Sequence, residues 1–452
     1  MTEPSPLHRP AAHGPEDSAP DPYLKRNLVF LTLDGTFFSA GSAFYDSTTV
    51  LPAFASTLTD SKAVIGFVAS VRTIGWFLPQ LVVANFTEGL RYKKRFIVIN
   101  SLLQRLGILL MALITYLYAG TRPGLALALF LPVFILASLS EGVNGVPWTD
   151  VVANTIPADR RGRLFAAQLV LGGLLAFFCG FVVRHILTVL PYPMSYVTLF
   201  LCTCAGFLLS ILSFLGVREK PAVEVRSRTG LGLYLRALPA AWRSVPDFVK
   251  AMQARLCLAV IFLSQPFFVV HARQNLGADV GTVGLFVSAQ MIGSLAGSAL
   301  AGRLSDRRGN RSVIVMAVLT STLAPLTALA LTGLYRAGAV GLATALYPLV
   351  YVFLGSSFGS GWIGFTNYVI EVTAPANRPT FIGLSNTLMA PFAFLSVLGG
   401  VMASFLGYEA VFAVSAAFGL MGLGLALRLP DPRYRGRVPR SEEGNIAAAP
   451  NN

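Results

Sequence analysis

Charge is what this sequence has least of. Asp, Glu, Lys and Arg make up 12% of its 452 residues against 54% apolar types, and the mean hydropathy is +0.64. A soluble globular chain carries roughly twice that share of charge, so a water-facing domain of this length is excluded and a membrane protein is expected. Histidine and cysteine are rare too, at four each. Two histidines lie in the N-terminal tail, which leaves His185 and His271 near one membrane surface. Cys179, Cys202, Cys204 and Cys257 all fall inside apolar stretches and read as small packing residues, since Cys202 and Cys204, two apart on a helix, point to different faces. No metal site or nucleophile set can be assembled from these residues, so no cofactor and no enzyme is expected. A nucleotide-binding P-loop is also missing, which excludes direct drive by ATP.

Apolar runs of about 20 residues, the length that crosses roughly 30 Å of hydrocarbon as helix, are abundant instead. Twelve are expected, near 27–52, 62–85, 96–119, 123–149, 164–189, 194–217, 255–274, 280–302, 312–334, 338–369, 380–406 and 408–428. The fold class is therefore an all-α integral membrane protein with twelve transmembrane helices. Residues 1–26 are polar and Pro-rich with no apolar core, so no cleavable signal peptide is expected and the segment reads as a disordered tail, as does 430–452.

Bases outnumber acids 35 to 21, a net charge of +14 that would suit nucleic acid if the bases were clustered for it. Their positions say otherwise. Of the Lys and Arg, 28 lie in the tails and in the loops after even-numbered spans, 5 lie in the loops of the other face, and Arg72 and Arg105 fall inside spans. That asymmetry is the positive-inside rule, and it places both termini in the cytoplasm of a plasma-membrane protein. Lipid bilayer, not nucleic acid, is the expected partner.

Sliding the chain against itself by 218 residues brings Gly66 onto Gly284, Ser70 onto Ser288, Ile74-Gly75 onto Ile292-Gly293, Glu88 onto Asp306 and Lys93 onto Arg311. The turn TIPADR (155–160) falls on TAPANR (373–378) at the same offset. Two pseudo-symmetric six-helix halves, 27–217 and 255–429, joined by a cytoplasmic linker over 218–254, are expected; this is an architecture of alternating-access transporters, with a site between the halves.

The turn AGRLSDRRGNR (301–311) resembles the signature turn of the major facilitator superfamily, G-x-x-x-D-R-x-G followed by bases, through Gly302, Asp306, Arg307, Gly309 and Arg311. Asn310 departs from it. The first-half copy, ANFTEGLRYKK (84–94), keeps Glu88 and Lys93 but has Ala84, Gly89 and Arg91 at the other motif positions. The resemblance implies a cytoplasmic gate in which glycines make a tight turn and the charges pair with each other and with helix ends. Asp150 is expected to join it by pairing with Arg91 or Lys93.

Inside the membrane, Arg72 lies about ten residues into span 2, roughly 15 Å deep at the helical rise. An arginine there must face a partner or a wet cavity, so it serves either a solute or coupling ion, or a structural ion pair. Asp34 and Asp46 of span 1 are candidate partners, with Asp46 first by depth and Asp34 the candidate proton carrier. Glu141 of span 4 faces either a cavity or a packing partner such as Arg105. Gln290 occupies the level of Arg72 in the second half. Small-residue runs at 293–297 and 355–361 read as close helix packing, and Pro147 and Pro348 as bends.

The function expected is transport, secondary-active or facilitative, of a small organic solute by alternating access, with protons as a candidate coupling ion and the protein acting as a monomer. Span 5 holds Gly172-Gly173 but not the Gly-Pro of the family's drug antiporters, which disfavours efflux antiport. The competing reading is a membrane sensor or assembly protein that keeps the transporter fold without transporting.

Overall fold

The computed structural model describes residues 22–79, 83, 90–220, 245–373 and 378–432. The remaining parts of the expected tails, linker and turns, Glu88 among them, lie outside the described residues. Ten helical stretches among those described are long and apolar enough to cross a bilayer, and the chain is otherwise almost all helix. The two further spans expected from the sequence are α3 (Lys62–Phe77) and the first span, which is broken into α1 (Leu24–Ala43) and α2 (Val50–Leu58). Spans 3 to 6 are α4 (Lys94–Ile114, continued by a π turn), α5 (Pro123–Thr155), α6 (Ala158–Val189) and α7 (Met194–Leu215). In the second half, α8 (Pro246–Ala259) and α9 (Phe267–Gln274) form span 7, followed by α10 (Thr282–Arg308) and α11 (Asn310–Arg336). Helices α12 (Val340–Leu346) and α13 (Pro348–Val372) form span 10, α14 (Arg378–Met389) and α15 (Leu395–Leu406) span 11, and α16 (Tyr408–Leu427) span 12.

Local chemistry accounts for the breaks. Asp46 ends the first interruption by accepting hydrogen bonds through Oδ1 from the Thr48 amide (2.8 Å) and from the hydroxyls of Thr48 (2.5 Å) and Thr49 (3.0 Å), which orders the turn into α2. Gly309, at φ +80°, stops α10 and lets α11 start at once in a backbone conformation open to glycine. Pro147 sits within α5, while Pro348 is the first residue of α13, where its missing amide proton is not needed. The start of α8 is nine residues earlier than the sequence places span 7: Pro246 opens it, and Phe248, Ala251 and Met252 are fully buried in the second half's core.

The two halves repeat their packing as well as their sequence. Spans 3 and 4, 2 and 4, 1 and 6, and 3 and 6 pack together, and so do their counterparts 9 and 10, 8 and 10, 7 and 12, and 9 and 12. Between the halves, α3 packs on α15 and α6 on α10, which is one contact written twice under a two-fold exchange. The glycines matched by the 218-residue offset sit at these crossings. Gly66 lies against the carbonyl of Ser396, and Gly284 against the backbone of Gly180 and Arg184. Likewise Gly75 meets Ser138 of α5, and Gly293 meets Val352 of α13.

Both described ends share a face: Arg26 donates to the Gly216 carbonyl at the end of α7 (2.9 Å), and Tyr368 at the end of α13 donates to Pro430 (2.9 Å). On that terminal face Glu219 caps α4, its two oxygens accepting the amides of Lys93 (2.6 Å) and Lys94 (3.0 Å).

The small-residue runs pack as the sequence suggests, with Gly355 against Gln290 and Ser294, and Gly359 against Ser294 and Ser298. Gly355→Leu should therefore force α10 and α13 apart and lower stability by at least about 1–3 kcal/mol, read as a fall in melting temperature of the detergent-purified protein. Gly302→Ala, where no described atom lies within 4 Å of the added carbon, should leave that temperature unchanged or slightly raised.

Candidate functional site

The first half encloses a cavity of about 350 Å³, lined from all six of its spans. Three charged side chains reach its wall: Asp34 from α1, Arg105 from α4 and Glu141 from α5. Its apolar surface comes from Phe38, Trp76, Trp148, Phe165 and neighbouring aliphatic side chains.

Arg72 is largely buried and pairs with Glu141, not with a span 1 carboxylate. Its Nη2 lies 2.9 Å from Glu141 Oε1 and its Nε donates to Oε2 at 3.2 Å, with side-chain exposures of 16% and 8%. A second contact from Nη2 reaches the Ser42 hydroxyl (2.8 Å), and the guanidinium lies 4.4 Å from the centre of the Tyr45 ring. Tyr45 also donates to Glu141 Oε2 (2.8 Å), and Gln104 approaches the same oxygen at 3.4 Å. Asp46, the first choice by depth, is engaged instead in the turn at the end of α1. Depth along a helix does not report which way the side chain points once the helix breaks, and the break at 44–49 is absent from the hydropathy pattern.

Arg105 does not pair with Glu141. It donates to the Phe207 carbonyl through Nε (3.2 Å) and Nη2 (2.6 Å), and through Nη1 to the Ser101 carbonyl (2.8 Å) and Gln104 Oε1 (2.9 Å). Gln104 thus stands between the Arg105 guanidinium and the Arg72–Glu141 pair. Asp34 accepts from Trp148 Nε1 at Oδ2 (2.9 Å) and from the Ser210 hydroxyl at Oδ1 (2.6 Å). Gln290 is apart from the cavity: its side-chain amide lies 2.7 Å from the Thr48 hydroxyl and ties α10 to the break in span 1 across the two halves.

On the terminal face, Lys93 and Asp150 form an ion pair that joins the start of span 3 to the end of span 4. The second-half turn makes the corresponding link with different residues. Asn310, where the sequence departs from the signature, donates from Nδ2 to Glu371 Oε1 (2.7 Å) and accepts from Ser305 (2.8 Å). Arg311 donates to the Leu427 carbonyl at the end of α16 (2.5 Å). Asp306 and Arg307 are exposed and make no ion pair among the described residues, Gly302 is exposed, and Glu88 lies outside them. At the opposite face Lys62 bridges the halves, donating to Ala403 of α15 (2.8 Å) with its ammonium 4.3 Å from the centre of the Tyr408 ring.

Several residues of consequence were not singled out from sequence. Tyr45, Gln104 and Trp148 carry no signal of their own in an apolar helix. Arg255, at the expected edge of span 7, is a mid-helix residue in the structure that reaches Ser385 and the Asn386 side chain (3.5 Å), with its guanidinium 5.7 Å from the Phe365 ring centre. Pro246 followed by Asp247 is the helix-start signal that could have placed it.

Comparison with known proteins fits this geometry. Residues 256–450 match the family model described as Major Facilitator Superfamily. An uncharacterized protein of Mycobacterium tuberculosis (strain ATCC 25618 / H37Rv) is 28% identical over 202 residues, 44% of this chain and 38% of the relative. A putative sugar efflux transporter of Deinococcus radiodurans is 31% identical over 197 residues, 39% of this chain and 46% of the relative. The matched stretches thus span less than half of these relatives' own length. In fold, a D-xylose–proton symporter superposes with a TM-score of 0.68 at 15% identity, over 91% of this chain and 99% of the other. The xylose transporter of E. coli in a partially occluded inward-open conformation superposes at 0.64 and 15%, over 90% and 100%. The second half of the chain thus matches the Major Facilitator Superfamily model in sequence, and nearly the whole chain shares the fold of these solved transporters.

Proposed function

We propose that the protein is a secondary-active or facilitative transporter that carries a small organic solute across the plasma membrane by alternating access, as a monomer with both termini in the cytoplasm. The observation that carries this reading is the cavity. Protein interiors are close-packed, and a scaffold with no cargo has no use for some 350 Å³ of open space walled by two carboxylates and an arginine inside a membrane-spanning bundle.

The contacts between the halves support the motion. Backbone-to-backbone crossings at Gly66 and Gly284 and the Lys62 bridge hold the halves together toward the face opposite the termini. Lys93 with Asp150, and Asn310 with Glu371, tie turns to helix ends within each half on the terminal face. In this reading the outer seam closes while solute exchanges through the cytoplasmic side, and the seam parts in the opposite state. The positive-inside bias sets that orientation.

Coupling to protons is proposed to run through Asp34. Glu141 is held in a two-point contact with Arg72, whereas Asp34 has only two neutral donors and faces the cavity. Protein reconstituted in liposomes with a trapped pH dye and a solute panel tests both claims. Downhill uptake with a matched change of internal pH is expected, and Asp34→Asn should lose the pH change, with the uptake that remains needing a higher solute concentration. Uptake with constant internal pH would remove the proton, and a pH change equal in Asp34→Asn and wild type would remove Asp34.

The Arg72–Glu141 pair generates a second test. Glu141→Gln leaves a guanidinium unanswered in low dielectric, which costs about 3–5 kcal/mol when one partner of a buried pair is removed. A large fall in melting temperature is expected. The double variant Arg72→Met with Glu141→Leu should recover most of that loss and transport poorly. A stable double variant with wild-type transport would make the pair purely structural.

A further inference from the structure

The chemistry of the cavity wall narrows the solute, on the reading that this is a transporter. Most of the wall's neutral polar groups are already committed to one another. Gln104 offers its oxygen to Arg105 and its amide to Glu141. Asn144 donates to Ser101 (2.9 Å) and accepts from Asn100 (2.9 Å), and Gln168 donates to the Leu31 carbonyl (2.7 Å). Glu141 is saturated by Arg72 and Tyr45.

Two groups stand apart. A carboxylate has about four acceptor positions and a guanidinium five N–H donors. Asp34 uses its oxygens for one hydroxyl and one indole N–H, with no cation in ion-pair range among the described residues. Arg105 spends four of its five N–H donors on neutral oxygens, which leaves one N–H, and no acid lies in ion-pair range of it among the described residues. Both charges line the same cavity and both are anchored to α7, Asp34 through Ser210 and Arg105 through Phe207. Three residues along a helix is roughly 4.5 Å of rise, so the α7 residues that anchor the negative and the positive group are about one turn apart. Around them the wall is aromatic, from Phe38, Trp148 and Phe165.

We propose that the solute is a zwitterion with an apolar, ring-bearing body, its ammonium group received by Asp34 and its carboxylate by Arg105. A neutral polyol would have to displace hydrogen bonds that the wall amides already make. A solute with a single charge answers one wall charge and leaves the other with only its neutral hydrogen-bond partners. A zwitterion answers both, and its ring lies against rings.

Full-length protein in detergent, with ligand-induced thermal stabilisation as the readout of Kd, tests this on one carbon skeleton. The probes are L-phenylalanine, L-tryptophan, 2-phenylethylamine, 3-phenylpropionate and D-xylose. A hydrogen bond to a charged group is worth roughly a tenfold in affinity or somewhat more, so the amino acids should bind at least about tenfold tighter than either single-charge analogue. Asp34→Asn, near-isosteric, should abolish the advantage of L-phenylalanine over 3-phenylpropionate while leaving 3-phenylpropionate binding in place. Arg105→Gln should do the converse for 2-phenylethylamine. Equal affinity for a single-charge analogue, preference for D-xylose, or no binding by any probe overturns the assignment. D-xylose uptake into liposomes without amino-acid binding would sink the solute class and keep the transporter. Amino-acid binding with the Asp34→Asn pattern, but no counterflow, would keep the class and sink transport.

Discussion

Hydrocarbon will not solvate an ion, so every charge at mid-depth has to be answered by protein, and the rest of the first half is arranged around that demand. Arg72 is answered by Glu141 at two points, by Ser42 and by the face of Tyr45. Because these groups come from spans 1, 2 and 4, and Gln104 of span 3 closes the group, one polar cluster fixes the relative rotation of four helices. The cavity is the space those fixed helices leave. Among the described residues the second half shows no such cluster: Arg255 rests on Ser385, Asn386 and the Phe365 ring. Among them, paired mid-depth charge is thus concentrated in one half of a duplicated fold.

Glycine was the most legible signal because its role is set by distance alone. Gly66 and Gly284, aligned by the internal repeat, are where the two halves touch backbone to backbone, and Gly75 and Gly293 are where span 2 meets span 4 and span 8 meets span 10. A side chain at any of them would separate helices, so the duplication keeps them. Charge partners were less legible, since pairing depends on helix rotation and on breaks. Asp46 looked level with Arg72, yet Thr48 and Thr49 hold it in a turn that interrupts span 1. Glu141 was recognised as intramembrane, but only the packing of α3 on α5 shows that it faces Arg72.

The terminal-face turns show the same limit from another side. The signature in the second half identified the place, but its charges Asp306 and Arg307 stay in solvent among the described residues, and the helix-to-helix tie passes through Asn310 to Glu371. In the first half the tie is the ionic Lys93–Asp150 contact. The Lys93–Asp150 pair is one that the sequence names, and Arg311 of the signature reaches the Leu427 carbonyl, whereas the Asn310–Glu371 tie carries no signal in the motif's spacing. Two unlike links at equivalent positions also mean that the halves need not respond alike to salt, since screening weakens the half-buried Lys93–Asp150 pair modestly and a neutral-donor hydrogen bond less.

The kinds of contact within and between the halves decide which parts of the molecule can move. Between the halves, the hydrogen bonds seen among the described residues are neutral or singly charged: Ser288 to Phe177 (2.8 Å), Thr48 with Gln290 (2.7 Å) and Lys62 to Ala403 (2.8 Å). Each is worth about 0.5–1.5 kcal/mol net, or up to about 3 kcal/mol with a charged donor, which is within the reach of solute binding. Within the first half, separating Arg72 from Glu141 would strand two charges in low dielectric, a penalty of several kcal/mol for each. A rocking motion accordingly parts the seam before it opens the cluster. Under the proposed alternating access, the cavity, lined from all six spans of the first half, would then travel with that half as one body, and what would change between states is the surface that the second half presents to it.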